Sequence, residues 1–127
     1  MASRLTDEER KLREMSERDL DSHIRKLTDL YHWRRYHTFR ADRSPAGFPD
    51  LCLVRPPHLI FAELKREEGK PTPLQIEWLD DLARAGQHVF LWMPRDLATG
   101  DIPRLLLDPA SPSISRWRAV EVTPTKG

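Results

Sequence analysis

The chain of 127 residues contains one cysteine, five glycines and no apolar run long enough to span a bilayer, and its 21 basic residues nearly balance 20 acidic ones. Each shortage excludes a class. A lone Cys52 rules out a disulfide-stapled domain. Its place inside an apolar run reads as a small buried side chain in a reducing, cytoplasmic protein. The opening residues MASRLTDEERK carry no apolar signal region, so neither membrane insertion nor export is expected from them. Glycine is too scarce and scattered for a phosphate-cradling loop, and there is no nucleophile elbow or internal repeat. His23, His32, His37, His58 and His88 are not spaced as a zinc set. A net charge of +1 gives no whole-molecule field for nucleic acid, so any basic footprint is local.

What is present suits one compact domain, since 39% hydrophobic residues over this length supply one core and not two. Thr6-Asp7-Glu8-Glu9 has the form of a capping box and predicts a short charged helix over 7–14. Ser16-Glu17-Arg18-Asp19 opens a second helix, whose Leu20, Ile24, Leu27 and Tyr31 share one face. Residues 33–40 alternate aromatic and basic side chains, as a strand covered on one face would, and put Arg34, Arg35, His37 and Arg40 in a local basic stretch. Two apolar runs, 51–54 and 59–62, flank Arg55-Pro56-Pro57-His58 and predict a buried hairpin. Thr72-Pro73-Leu74-Gln75 starts a helix with Leu74, Trp78, Leu82 and Ala85 as its buried stripe and Gly86 as its stop. The apolar run 88–93 then reads as a buried strand, parallel to a neighbour because a helix leads into it. Asp101-Ile102-Pro103 predicts a short helix through Leu107. The expected organisation is a charged extension over 1–15, a core domain over 16–110 and an extended Ser/Pro-rich tail over 111–127 in which Ile114, Trp117, Val120 and Val122 are the packing points.

Asp50, Glu63 and Lys65 gather at the mouth of the hairpin, where charges beside buried strands are costly. Two arrangements relieve that cost: the charges pair with one another, or the carboxylates hold a cation. The order Gly47-Phe48-Pro49-Asp50, Glu63-Leu64-Lys65, Gly69-Lys70 and Gln75 resembles the PD-(D/E)XK nuclease superfamily, and within it the virus-type replication-repair nuclease (VRR-NUC) family. The resemblance runs from Ser16 to Met93. It implies an α/β restriction-endonuclease-like core, with a mixed sheet built in helix-strand-strand-strand-helix-strand order.

The resemblance also implies the chemistry. Asp50, Glu63 and the backbone carbonyl of Leu64 would hold Mg²⁺ or Mn²⁺, with Glu17 as a further acidic neighbour, while Lys65 would act on the attacking water. Gln75 would orient groups at the same site, or else close the capping box with Thr72. Arg35, His37, Arg40, Arg43, Ser44 and Lys70 are the candidate DNA contacts. The expected activity is endonucleolytic cleavage of structured or branched DNA, such as a Holliday junction, in phage or mobile-element replication, recombination or packaging. A homodimer is expected because a domain this small covers little DNA. The alternatives are a nucleic-acid-binding module that keeps the fold without turnover, and a structural protein with an ion-paired core.

Overall fold

In the computed structural model, described for residues 5–38, 45–110 and 116–119, nine elements follow one another. They are α1 (Asp7–Glu14), α2 (Glu17–Leu30), β1 (Arg34–His37), β2 (Leu51–Arg55), β3 (His58–Leu64), α3 (Pro73–Arg84), β4 (His88–Trp92), α4 (Pro94–Ala98) and α5 (Asp101–Leu107). The strands form one mixed sheet in the order β1-β2-β3-β4, antiparallel except for the β3–β4 pair that α3 bridges. The domain is therefore α/β.

Local chemistry accounts for the helix starts. Thr6, Ser16 and Thr72 each accept from the third helical amide, and Glu9, Asp19 and Gln75 return the bond to the cap N–H. Each box satisfies two amides that the helix cannot. Gly86, at φ +85°, adopts the left-handed conformation that ends α3.

Side-chain alternation divides the sheet into two faces. Leu51, Leu53, Ile60, Ala62, Leu64, Phe90 and Trp92 point to one and pack with Leu20 and Ile24 of α2 and Ile102, Leu105 and Leu106 of α5. The sequence under-read α5, which is a wall of the core. Arg55 fastens that wall: its guanidinium donates to the carbonyls of Tyr31 (3.0 Å), Leu106 (2.9 Å) and Leu107 (3.2 Å) and lies 4.9 Å from the Trp33 ring centroid. A cation there meets the negative ends of α2 and α5 together.

The opposite face carries Cys52, Phe61, Glu63 and Val89 and is covered by α3. The expected α3 stripe needs correction: Leu79 is the fully buried residue, Trp78 and Leu82 are half-covered, and Leu74 is 50% exposed. Tertiary packing selects a face rotated from the one that Leu74 and Ala85 implied. The basic strand is also shorter than expected, ending at His37, and residues 39–44 lie outside the described part. The tail approaches the other sheet edge. Trp117 donates its amide to the Val89 carbonyl (2.7 Å) and its indole N–H to Asp80 (2.8 Å), whereas Ile114, Val120 and Val122 lie outside the described residues. Among the described residues, no helix is long and apolar enough to cross a membrane.

Candidate active site

Strand register brings the two acids together. A two-residue turn pairs Arg55 with His58, and the ladder runs outward through Leu53–Ile60 to Leu51–Ala62. One step further, Asp50 falls opposite Glu63 and Pro49 opposite Leu64. Proline has no N–H, so the ladder cannot supply the Leu64 carbonyl with an amide. The Leu64 amide donates to Asp50 Oδ2 at 2.8 Å, and the Pro49 carbonyl accepts from the Thr38 hydroxyl.

Five contacts fix the loop that delivers Asp50. Thr38, just past β1, donates its amide to the Asp50 carbonyl (2.8 Å) and its hydroxyl to the Pro49 carbonyl (2.6 Å). Phe48 packs edge-on against Phe61 and Trp78, with ring centroids 6.1 and 5.0 Å away. Gly47 lies so close to α3 that a Cβ there would meet the Leu74 carbonyl carbon and oxygen at 2.7 Å and the Gln75 amide nitrogen at 3.0 Å. Its φ of +91° also favours glycine. The loop and the first turn of α3 are thereby held as one unit. Sequence reasoning passed over Thr38 and this role of Gly47. The signal for Thr38 was its alternation with Arg34 and Tyr36, which puts it in the Asp50–Glu63 row.

Glu63 is 2% exposed, yet it is not neutralised by Lys65: no ion pair joins the two side chains. Its Oε1 accepts from Gln75 Nε2 at 3.1 Å, while Oε2 is buried without a donor among the described residues. Burial pushes the Glu63 carboxyl up to about 9, aided by hydrogen bonding to Asp50 and by the Asp50 charge, with Lys65 opposing and Glu17 adding a little. Ionised together, the two carboxylates leave Oε2 unsatisfied. With Glu63 protonated, it bonds to Asp50.

Gln75 makes the capping contact and a contact to Glu63 at once. Its Oε1 accepts from the Thr72 amide at 2.8 Å in the capping box, and its Nε2 holds Glu63. The cap fixes the amide's orientation, and the orientation aims the donor.

Lys65 continues the strand, its amide donating to the Trp92 carbonyl at 3.0 Å, and alternation puts its side chain on the Glu63 face. Its ammonium has no hydrogen bond or ion pair among the described residues. Glu17 is exposed at the first turn of α2; it reaches Glu63 only through its charge. Among the described residues, no three His, Cys, Asp or Glu side chains form a metal-holding group, so Glu17 does not complete a set with Asp50 and Glu63.

The candidate DNA contacts separate. Arg35 is committed to Asp21, whose carboxylate it grips with one guanidinium nitrogen, and so its charge is compensated. His37 bonds the Thr38 carbonyl through Nδ1 (3.0 Å) and lies 3.9 Å from Asp21. Both face the α2 side of the sheet. Lys70 is exposed in the loop before α3, while Arg40, Arg43 and Ser44 lie outside the described residues. Arg34 and Tyr36, by contrast, face the Asp50–Glu63 side.

No protein family, curated protein or solved structure compared with the chain matches it.

The donor set suits a hard divalent cation. Asp50, Glu63 Oε2 and the Leu64 carbonyl, to which Pro49 offers no amide, are oxygen donors, as Mg²⁺ and Mn²⁺ prefer. Two carboxylates and a carbonyl match the few protein ligands that Mg²⁺ commonly takes.

Proposed function

We propose that the protein is a metal-dependent DNA endonuclease with a PD-(D/E)XK core of the VRR-NUC type. One observation carries the reading: a buried carboxylate oxygen of Glu63, beside Asp50, has no hydrogen-bond donor among the described residues, and Lys65, two residues along, makes no ion pair with Glu63 although its charge acts on it. A structural ion pair would have joined Glu63 to Lys65. A cation site keeps the carboxylates available and the ammonium free.

Asp50 and Glu63 would hold Mg²⁺ or Mn²⁺ together with the Leu64 carbonyl, and the ion would neutralise charge on the scissile phosphate. Gln75 keeps Glu63 turned so that Oε1 is occupied and Oε2 is offered. The Lys65 ammonium orients the attacking water and stabilises the charge that develops on phosphorus oxygens, while the water's proton passes to solvent. Branched DNA as substrate, a role in phage or mobile-element DNA processing, and pairing of two chains across a junction follow from the resemblance alone.

Purified protein incubated with linear, supercoiled and four-way-junction DNA should cleave with Mg²⁺ or Mn²⁺ and not with EDTA. Asp50→Asn should abolish cleavage with its circular dichroism unchanged. A folded Asp50→Asn variant of full activity would overturn the site, and metal-dependent binding without turnover by the wild type would favour the non-catalytic module.

A further inference from the structure

The α3 face of the sheet is covered unevenly. On β3 and β4 it lies under α3 and Phe48, whereas on β1 and β2 it is open: Tyr36 is 53% exposed, Arg34 is exposed, and Val54 and Cys52 are only half-covered. Mid-strand exposure of an aromatic ring beside apolar neighbours is unsatisfied surface. Register ties this surface to the candidate site. Tyr36 lies beside Cys52, and Arg34 beside Val54, in rows that follow directly on the row of Thr38, Asp50 and Glu63. Tyr36 is therefore a diagonal neighbour of Asp50, roughly 7–8 Å away.

We infer that Tyr36 and Arg34 form a platform for an unpaired DNA strand, on which a base next to the scissile phosphate stacks on the Tyr36 ring while Arg34 pairs with the following phosphate. The inference rests on the nuclease reading and names its substrate as DNA with a single-stranded segment at the cut. Three features select this occupant. Bases inside a duplex present their edges and cannot reach a ring on a flat sheet, whereas an unpaired base offers its face. Arg34 has no acidic partner among the described residues, in contrast to its neighbour Arg35, which Asp21 neutralises. Successive side chains on this face of β1 are about 7 Å apart, so a strand whose phosphate is at Asp50 meets an aromatic ring and then a cation along one line.

The test measures binding in EDTA, where no cleavage interferes, by fluorescence anisotropy of the full chain. The probes are oligo(dT), a blunt duplex, and that duplex with a single-stranded extension. Wild type should prefer the two probes with unpaired residues. Tyr36→Ala should weaken those two about ten-fold and leave the blunt duplex nearly unchanged, while Tyr36→Phe, which keeps the ring, should bind like wild type. Arg34→Gln should weaken oligo(dT) binding and lower its salt-dependence slope by about one. Equal binding by Tyr36→Ala and wild type, equal losses on all three probes, or no oligo(dT) binding by wild type would each overturn the platform. So would sedimentation showing that Tyr36→Ala dissociates a dimer, since the face would then belong to a second copy. Failure of the nuclease reading shows separately, as absence of metal-dependent cleavage from a protein that still prefers the tailed duplex.

Discussion

Replacing Glu63 by glutamine should make the metal-free protein more stable at alkaline pH, an unusual outcome for a change at a buried functional residue. The amide keeps an oxygen to accept from Gln75 Nε2 and converts the orphaned Oε2 into a donor facing Asp50. Glu63 ionises near the ordinary 4.5 when unfolded and at about 9 when folded. Between those values the folded form keeps a proton that the unfolded form has lost. The wild type is thus least penalised below pH 4.5, loses stability as pH rises from there, and levels off above about 9. The slope limit is about 1.4 kcal/mol per pH unit, which amounts to at most on the order of 4 kcal/mol between roughly pH 5 and 8. All other titratable groups are common to both proteins, so the difference between their curves isolates Glu63 and its coupling to Asp50. The assay is urea unfolding in EDTA, followed by tryptophan fluorescence across this range. Wild-type stability should fall away from that of Glu63→Gln as pH rises, and Mn²⁺ should restore the wild type far more than the variant. Parallel curves would refute the reasoning, because they would mean that Glu63 ionises in the fold at no cost.

Lys65→Ala should retain Mn²⁺ binding by calorimetry and lose turnover by roughly a hundred-fold or more, since its amine acts on water and developing charge; lost Mn²⁺ binding in a folded variant would contradict that role. Gln75→Glu keeps an oxygen for the Thr72 amide but turns a second carboxylate toward Glu63, so it should be less stable than wild type at pH 8 in EDTA and cleave poorly; unchanged cleavage across Mg²⁺ and Mn²⁺ titrations would assign Gln75 to the cap alone. Gly47→Ala must relieve contacts of 2.7 Å with the Leu74 backbone and a left-handed φ, and should cost about 1–3 kcal/mol in chemical denaturation while weakening cleavage; wild-type stability would show that the loop and α3 move apart freely.

The parts legible in the sequence are those decided over a few residues. The three capping boxes are local exchanges of hydrogen bonds, so Thr6, Ser16 and Thr72 announce their helices wherever the chain goes. The Asp50–Glu63 encounter is nearly as local. Arg55 and His58 close the hairpin, and five residues outward on each arm the two acids must face one another, while Pro49, one step further, can offer the ladder no amide. The choices among equivalent candidates belonged to tertiary structure. Arg35 and Arg34 are the same residue type in adjacent positions, and only the placement of Asp21 on α2 neutralises the first and leaves the second facing the site row. Leu79 and Leu74 both fit a helical stripe, and contact with the sheet buried Leu79 and left Leu74 half-exposed. The amide of Gln75 meets Glu63 because Gly47 lets a loop distant in sequence close onto α3; such contacts depend on the shape of the filled core, which no short window of sequence contains.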